Sequence, residues 1–262
     1  MRFSRFAAVA FASAVTAASA DAQVLIINGA STTSETGTTA SITQQLQTLH
    51  TAVGNAVTVA DTRPVDLTPY RQVWDIRFSN SSPISGDDQS AYLSFLQGGG
   101  GMFVMGENSG FTTRNNSVFS LIAAAGGGTV AFGSGSSSQT VCSPFNGPNP
   151  VGTVNYAAPG WFTSRGTGQW ITASDCDAPS GGSGIAFARG TLANATNGAL
   201  TTILDVNFMQ TTASPDNIAL TRNLIGFVGE QVNVVPEPST VVLSGIGIAV
   251  TAFGGWRRRR TA

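Results

Sequence analysis

The sequence predicts an α/β fold built on a doubly wound, mostly parallel sheet. Three observations carry this reading. Short apolar runs recur without polar alternation, as expected of strands buried on both faces. Segments with helical spacing of apolar residues alternate with those runs. The connections between them are short, which favours crossover helices packed back onto one sheet.

The first run is Val24-Leu25-Ile26-Ile27, ending at Asn28-Gly29. Residues 30–40 read as a Ser/Thr/Gly loop. Ser41 is placed to cap a helix to about Val53, with Ile42, Leu46, Leu49 and Val53 on one face and Gly54 at its end. A second strand, Val57-Thr58-Val59-Ala60, ends at Asp61, and a third is Val73-Trp74-Asp75-Ile76-Arg77-Phe78. Residues 87–97 form a helix with Ala91, Tyr92, Phe95 and Leu96 inward. Gly98 to Gly101 lead into the fourth strand, Met102-Phe103-Val104-Met105. These glycines precede a strand, whereas a phosphate loop follows one and opens a helix. A loop then reaches a helix from about Asn116 to Ala125.

Residues 126–184 are dense in Gly, Ser, Pro and Asn and offer little core of their own. They read as a loop-rich insertion, with Thr153-Val154, Trp161-Phe162 and Gln169-Trp170-Ile171 as short strands or anchored loops. Strands at residues 184–188 and 202–208 follow, then a helix from Asp216 or Asn217 with Leu220, Leu224, Ile225 and Val228 apolar. The insertion holds both cysteines, Cys142 and Cys176. In an oxidising compartment they form a disulfide; otherwise they are two buried thiols.

The two ends say where the protein works. Arg2 and Arg5 precede a short apolar run, and Ala18-Ser19-Ala20 or Ala20-Asp21-Ala22 offers a small-x-small cleavage site. Residues 1–22 therefore read as a secretory signal that engages the secretion machinery. At the other end, Pro236-Glu237-Pro238 precedes an uncharged stretch and then Arg257 to Arg260. The prolines keep the backbone extended. The apolar stretch, about 240–256, suits a short transmembrane helix, and the arginines hold its end on the cytoplasmic side. Residues 234–262 resemble the PEP-CTERM sorting signal. The resemblance implies a membrane protease of the exosortase type as partner, cleavage near Pro236-Glu237-Pro238, and transient anchoring before release to the cell surface or extracellular matrix.

Between the ends, the residues from 23 to 235 carry 7 Arg, no Lys and 12 acids, a formal charge of −5. That acidic body has no basic patch, so nucleic-acid binding is not expected. The single histidine, His50, and the two cysteines form no metal-ligand pattern, and no cofactor motif is present. His50 is expected at a helix surface or terminus.

Residues 24–230 resemble the class I glutamine-amidotransferase-like superfamily, whose sheet is flavodoxin-like. The most telling stretch runs from Gly98 through Met102-Phe103-Val104-Met105 to Gly106-Glu107-Asn108. The resemblance implies a nucleophilic cysteine at that turn and a downstream histidine. Here the turn has Glu107 and Asn108, and His50 lies upstream. Amide hydrolysis through a thiolate therefore lacks both nucleophile and base. The candidate site is then a polar mouth at the strand ends. Glu107 is the candidate catalytic residue, and Asn108, Arg114, Asn115, Asp75 and Asp205 are candidate ligand contacts, with Asp61 nearby. Equally, Glu107 and Asn108 can serve the turn itself. Tyr156, Trp161, Phe162 and Trp170 can form a sugar-stacking platform or a local core. The expected function is an exported, non-catalytic surface or matrix protein; the alternatives are a carboxylate-based hydrolase and a glycan-binding module for surface polysaccharide.

Overall fold

The computed structural model describes residues 23–232. The expected signal peptide and the sorting segment, with its span at 240–256, lie outside the described residues. Among the described residues no helix is long and apolar enough to cross a membrane.

The early strands form where apolar runs occur: β1 (Gln23–Ile27), β2 (Ala56–Ala60), β3 (Gln72–Asp75) and β4 (Gly101–Gly106). They are joined by α1 (Thr36–Ala52) and α2 (Gly86–Gln97), and α3 (Thr112–Ala124) follows β4. The next strands are short: β5 (Val130–Gly133), β6 (Ser138–Val141), β7 (Thr153–Asn155), β8 (Trp161–Arg165) and β9 (Gln169–Ala173). After them come β10 (Gly184–Phe187), β11 (Ala199–Leu204), a 3-10 turn (Asn207–Met209) and α4 (Pro215–Gln231).

Nine strands make one mixed sheet in the order β2-β1-β3-β4-β11-β10-β9-β6-β7, and β5 pairs with β8 separately. The expectation of a mostly parallel, flavodoxin-like sheet needs correction. Pairings from β2 to β11 are parallel, and those from β11 to β7 are antiparallel. The reason is local. Parallel neighbours need a long crossover. Residues 126–198 contain no helix, so their strands can only turn back on one another.

Side-chain alternation sorts the parallel strands into two faces. Val24, Ile26, Trp74, Phe103, Met105 and Ile203 meet Ile42 and Leu46 of α1 and Leu220 and Leu224 of α4. Leu25, Ile27, Val73, Met102 and Val104 meet Tyr92 and Leu96 of α2 and Val118, Leu121 and Ile122 of α3. Helices cover both faces, which explains why the strands read as unbroken apolar runs. The 126–184 segment joins the same two layers. Phe145, Val154 and Tyr156 extend the first, and Phe162 and Trp170 extend the second.

Helix starts follow local chemistry where a cap exists. Ser85 Oγ accepts from Asp88 N, and Asp87 and Asp88 complement the positive end of α2. Ser214 caps α4 in the same way, ahead of Pro215 in its first turn. Two expected boundaries move. The first helix starts at Thr36 rather than at a Ser41 cap, and Ser41 Oγ instead meets Thr211 Oγ1 at 2.8 Å. The third strand stops at Asp75 rather than Phe78, because the chain there turns into an ionic cluster.

Candidate functional site

The carboxyl ends of the parallel strands carry four acids: Asp61 after β2, Asp75 ending β3, Glu107 after β4 and Asp205 after β11. Strand order reverses between β1 and β3, so a crevice between those two ends is where an open α/β sheet takes a ligand.

Asp75 is wholly buried and anchors that crevice. Arg77 Nε donates to its Oδ1 at 2.9 Å and Nη2 to its Oδ2 at 2.7 Å, a bidentate pair. Tyr92 OH donates to Oδ2 at 3.0 Å, and Arg114 Nη2 lies 3.3 Å from Oδ1. Burial alone would raise the Asp75 pKa, but Arg114 and Arg77 overcome it and hold the carboxyl down at about 2. Arg77 also reaches Asp88 at 3.1 Å, which Arg63 pairs at 2.7 Å. Arg114 spends its other donors on Met105 O and Ser82 O, each at 3.0 Å.

The crevice is filled by this cluster. Gly29 follows β1 with φ +61°, and a Cβ there would lie 2.7 Å from Arg77 Cγ. Glycine therefore serves both the backbone conformation and the close approach of the arginine stem. Across the top, Thr32 Oγ1 meets Ser82 Oγ at 2.6 Å, and Ser81 Oγ donates to Thr32 O at 2.6 Å. Asp61 holds the same loop by accepting from Ser31 N at 2.8 Å and from the Ser31 hydroxyl.

Glu107 forms a second, separate arrangement with Asn108 and Asn115. Its Oε1 accepts from Asn108 N at 2.9 Å and Asn108 Nδ2 at 3.0 Å, and its Oε2 accepts from Val206 N at 2.7 Å. Asn115 clamps the turn backbone: its Oδ1 accepts from Glu107 N at 2.9 Å and its Nδ2 donates to Glu107 O at 2.7 Å and Asn108 O at 3.0 Å. Burial pushes Glu107 up to about 7 against its hydrogen bonds, with a smaller push from Asp205. Asp205 is itself raised by burial. It accepts from Asn207 N and Phe208 N, starting the 3-10 turn, and from Ala158 N at 3.1 Å.

The expected polar mouth thus divides. Asp75 and Arg114 go to one buried cluster, Glu107, Asn108 and Asn115 to another, and Asp205 to the junction with the 126–184 segment. Sequence reasoning missed Arg77 and Tyr92 as partners of Asp75, and Asp88 as a second partner of Arg77. A signal existed: Asp75 and Arg77 share one side of an otherwise apolar run, and a charge there needs a partner. Of the two expectations for His50, the helix terminus holds, since it lies in the last turn of α1, but the surface does not: the residue is fully buried, its ring 4.9 Å from that of Trp74. Its Nδ1 meets Asn55 Nδ2 at 3.0 Å, and Nε2 has no hydrogen-bond partner. Of the two readings of Tyr156, Trp161, Phe162 and Trp170, the burial of all four supports a core role rather than a stacking platform. Cys142 and Cys176, just beyond the ends of the adjacent strands β6 and β9, are joined by a disulfide. Among the described residues no group of His, Cys, Asp and Glu is arranged to hold a metal ion.

The fold is similar to several solved structures. One is described as "mmIFT52 N-terminal domain": TM-score 0.58, 10% identity, covering 81% of this chain and 98% of that one. Another is a putative ThuA-like protein from Bacteroides uniformis, with TM-score 0.52, 11% identity and coverage of 85% and 97%. A third is the exo-β-1,4-mannosidase Op5Man5 from Opitutaceae bacterium strain TAV5, with TM-score 0.51 and 9% identity. There the likeness covers 82% of this chain but 36% of the mannosidase. At these identities the likeness is one of fold alone. No curated protein matches the sequence. Residues 234–260 match the family model described as the PEP-CTERM protein-sorting motif, which supports export and sorting to the cell surface by exosortase.

Proposed function

We propose that the exported domain is a non-catalytic module of the cell surface or extracellular matrix. One observation carries the reading. All four strand-end acids of the parallel half are engaged by protein donors: Asp61 by Ser31, Asp75 by Arg77 and Tyr92, Glu107 by Asn108 and Val206, Asp205 by Ala158, Asn207 and Phe208. Groups that elsewhere meet a ligand here tie loops together. The amidotransferase resemblance enters only as a scaffold, since the turn after β4 bears Glu107 where that family needs cysteine. The sorting reading adds cleavage near Pro236-Glu237-Pro238 after transient anchoring through residues 240–256. Intact-mass measurement on protein from cells and medium tests it. A terminus near residues 236–239 is expected, whereas a tail retaining Arg257 to Arg260 would reduce the segment to a plain anchor.

A hydrolase reading has one observation in its favour. Glu107, buried and raised to about 7, has the protonation behaviour of a general acid, with Asp205 close enough to raise it. The non-catalytic reading expects no turnover across a panel of glycosides and esters between pH 4 and 8. Turnover abolished by Glu107→Gln in a folded variant would overturn it. Retention of the domain on surface polysaccharide would instead favour the glycan-binding alternative, which now lacks an exposed aromatic platform.

A further inference from the structure

The geometry points to a second copy of this chain as the partner of the free edge of β2, paired antiparallel about a two-fold axis through Thr58. β2 lies at one end of the nine-stranded sheet, so one side of its backbone has no strand neighbour. Proteins usually blunt such edges with charge, proline, a bulge or short length. The opposite edge, β7, follows that rule with three residues. The β2 edge does not. The ten residues Thr51-Ala52-Val53-Gly54-Asn55-Ala56-Val57-Thr58-Val59-Ala60 contain no charge and no proline.

A second observation points to the same place. Among the described residues the exposed large hydrophobics are Val53 (62% exposed), Val59 (36%) and Val65 (97%). One precedes β2, one lies within it and one follows it. The segment around β2 thus carries exposed apolar side chains before, within and after the strand.

The strand is also self-complementary. Ala56-Val57-Thr58-Val59-Ala60 reads the same in both directions. Antiparallel pairing centred on Thr58 sets Val57 against the other copy's Val59, Ala56 against its Ala60, and Thr58 against Thr58. The backbone phase agrees. Asn28 N donates to Ala60 O, so Ala60 faces β1, and by alternation Thr58 and Ala56 do too. Val57 and Val59 then present their N–H and C=O groups outward. In the proposed pair those residues exchange hydrogen bonds, and Thr58 meets Thr58 in the closer, non-hydrogen-bonded pair.

The register makes the test specific. Thr58→Cys in the full chain, expressed in an exporting host and oxidised, is expected to give a covalent dimer on a non-reducing gel, with Thr62→Cys giving far less. This readout holds whether or not the sorting tail is cut, so it stands apart from the sorting reading. Thr58→Lys and Thr58→Glu each set like charges face to face and are expected to sediment as monomers. Mixed in equal amounts, they are expected to recover a dimer. Thr58 is exposed, so unchanged circular dichroism in both variants is the control for folding. A monomeric wild type, or a dimer indifferent to both charges, overturns the proposal. Equal crosslinking at residues 58 and 62 overturns the register.

Discussion

The parallel and antiparallel halves of the sheet are held by different means. From β2 to β11, parallel strands lie between two helical layers, and the loops at their ends are tied by buried charge. From β10 to β7, strands are short, no helix intervenes, and a disulfide closes the segment between β6 and β9. The difference shows what each half needs. Crossover helices supply apolar area, so the first half can bury an ionic cluster and still be stable. The second half has little area per strand and relies on covalent constraint and on sharing the first half's core.

The largest expected effect breaks the first half. Asp75→Ala leaves Arg77 and Arg114 buried without their carboxylate. Removing one partner of a buried pair costs about 3–5 kcal/mol, which urea unfolding of the variant can measure. Replacing Cys142 and Cys176 by Ala tests the second half. Loop-closure entropy for a crosslink of this span suggests a loss of about 3–4 kcal/mol. Hydrogen exchange should then sharpen the contrast. Without the disulfide, amides of β6, β7 and β9 are expected to lose protection while β1, β3 and β4 keep theirs. Uniform loss across the sheet would show that the halves unfold as one unit.

A smaller effect concerns pH and lies within the first half. Burial lowers the His50 pKa from 6.5 to about 4. The unfolded chain therefore binds a proton in that window before the folded chain does. Stability from neutral His50 is full above pH 6.5 and is lost as pH falls toward 4, by up to about 3 kcal/mol. Glu107 acts in the opposite sense, since burial raises its folded pKa to about 7, above the ordinary 4.5 of a glutamate. The two partly cancel in the wild type. His50→Gln separates them: its stability deficit against wild type is expected to shrink as pH drops from 6.5 to 4.

The same contrast explains what the sequence disclosed. Strands β1 and β4 were legible within about one residue because burial on both faces leaves an unbroken apolar run, and the edge strand β2 was legible from its β-branched residues although it is largely exposed. Strands β5 and β6 were not expected at all. Ser138-Gln139-Thr140-Val141 has no apolar run, and Gln139 is buried only because its amide meets Ser183 Oγ and Ser183 N. Such a strand is specified by its neighbours rather than by its own pattern. The candidate site shows the same limit. The sequence named Asp75, Glu107 and Asp205 because they lie at strand ends, and Arg114 and Asn115 because they lie close to Glu107 in sequence. It could not show that their partners are one another and the backbone, since those partners come from distant elements.

Glu107 tests the seam where the two halves meet. It follows β4, and its Oε2 accepts from Val206 N just after β11, at the strand pair where the sheet turns antiparallel. Glu107→Gln keeps the shape but replaces one oxygen by a donor. The oxygen that remains suits Asn108, which supplies two donors, so the new amide faces the Val206 N–H. A buried donor left unmatched costs about 1–3 kcal/mol. The deficit should depend on pH with a definite sign. Wild-type Glu107 ionises in the fold near pH 7, and burial disfavours that charge, so its contribution falls as pH rises from 4.5 to 7. Glutamine carries no charge at either pH. The variant is therefore expected to lie furthest below wild type near pH 4.5 and to close the gap toward pH 7, as read by thermal unfolding at each pH. A deficit that widens with pH would mean that the ionised carboxylate stabilises the seam, with its three hydrogen bonds outweighing burial.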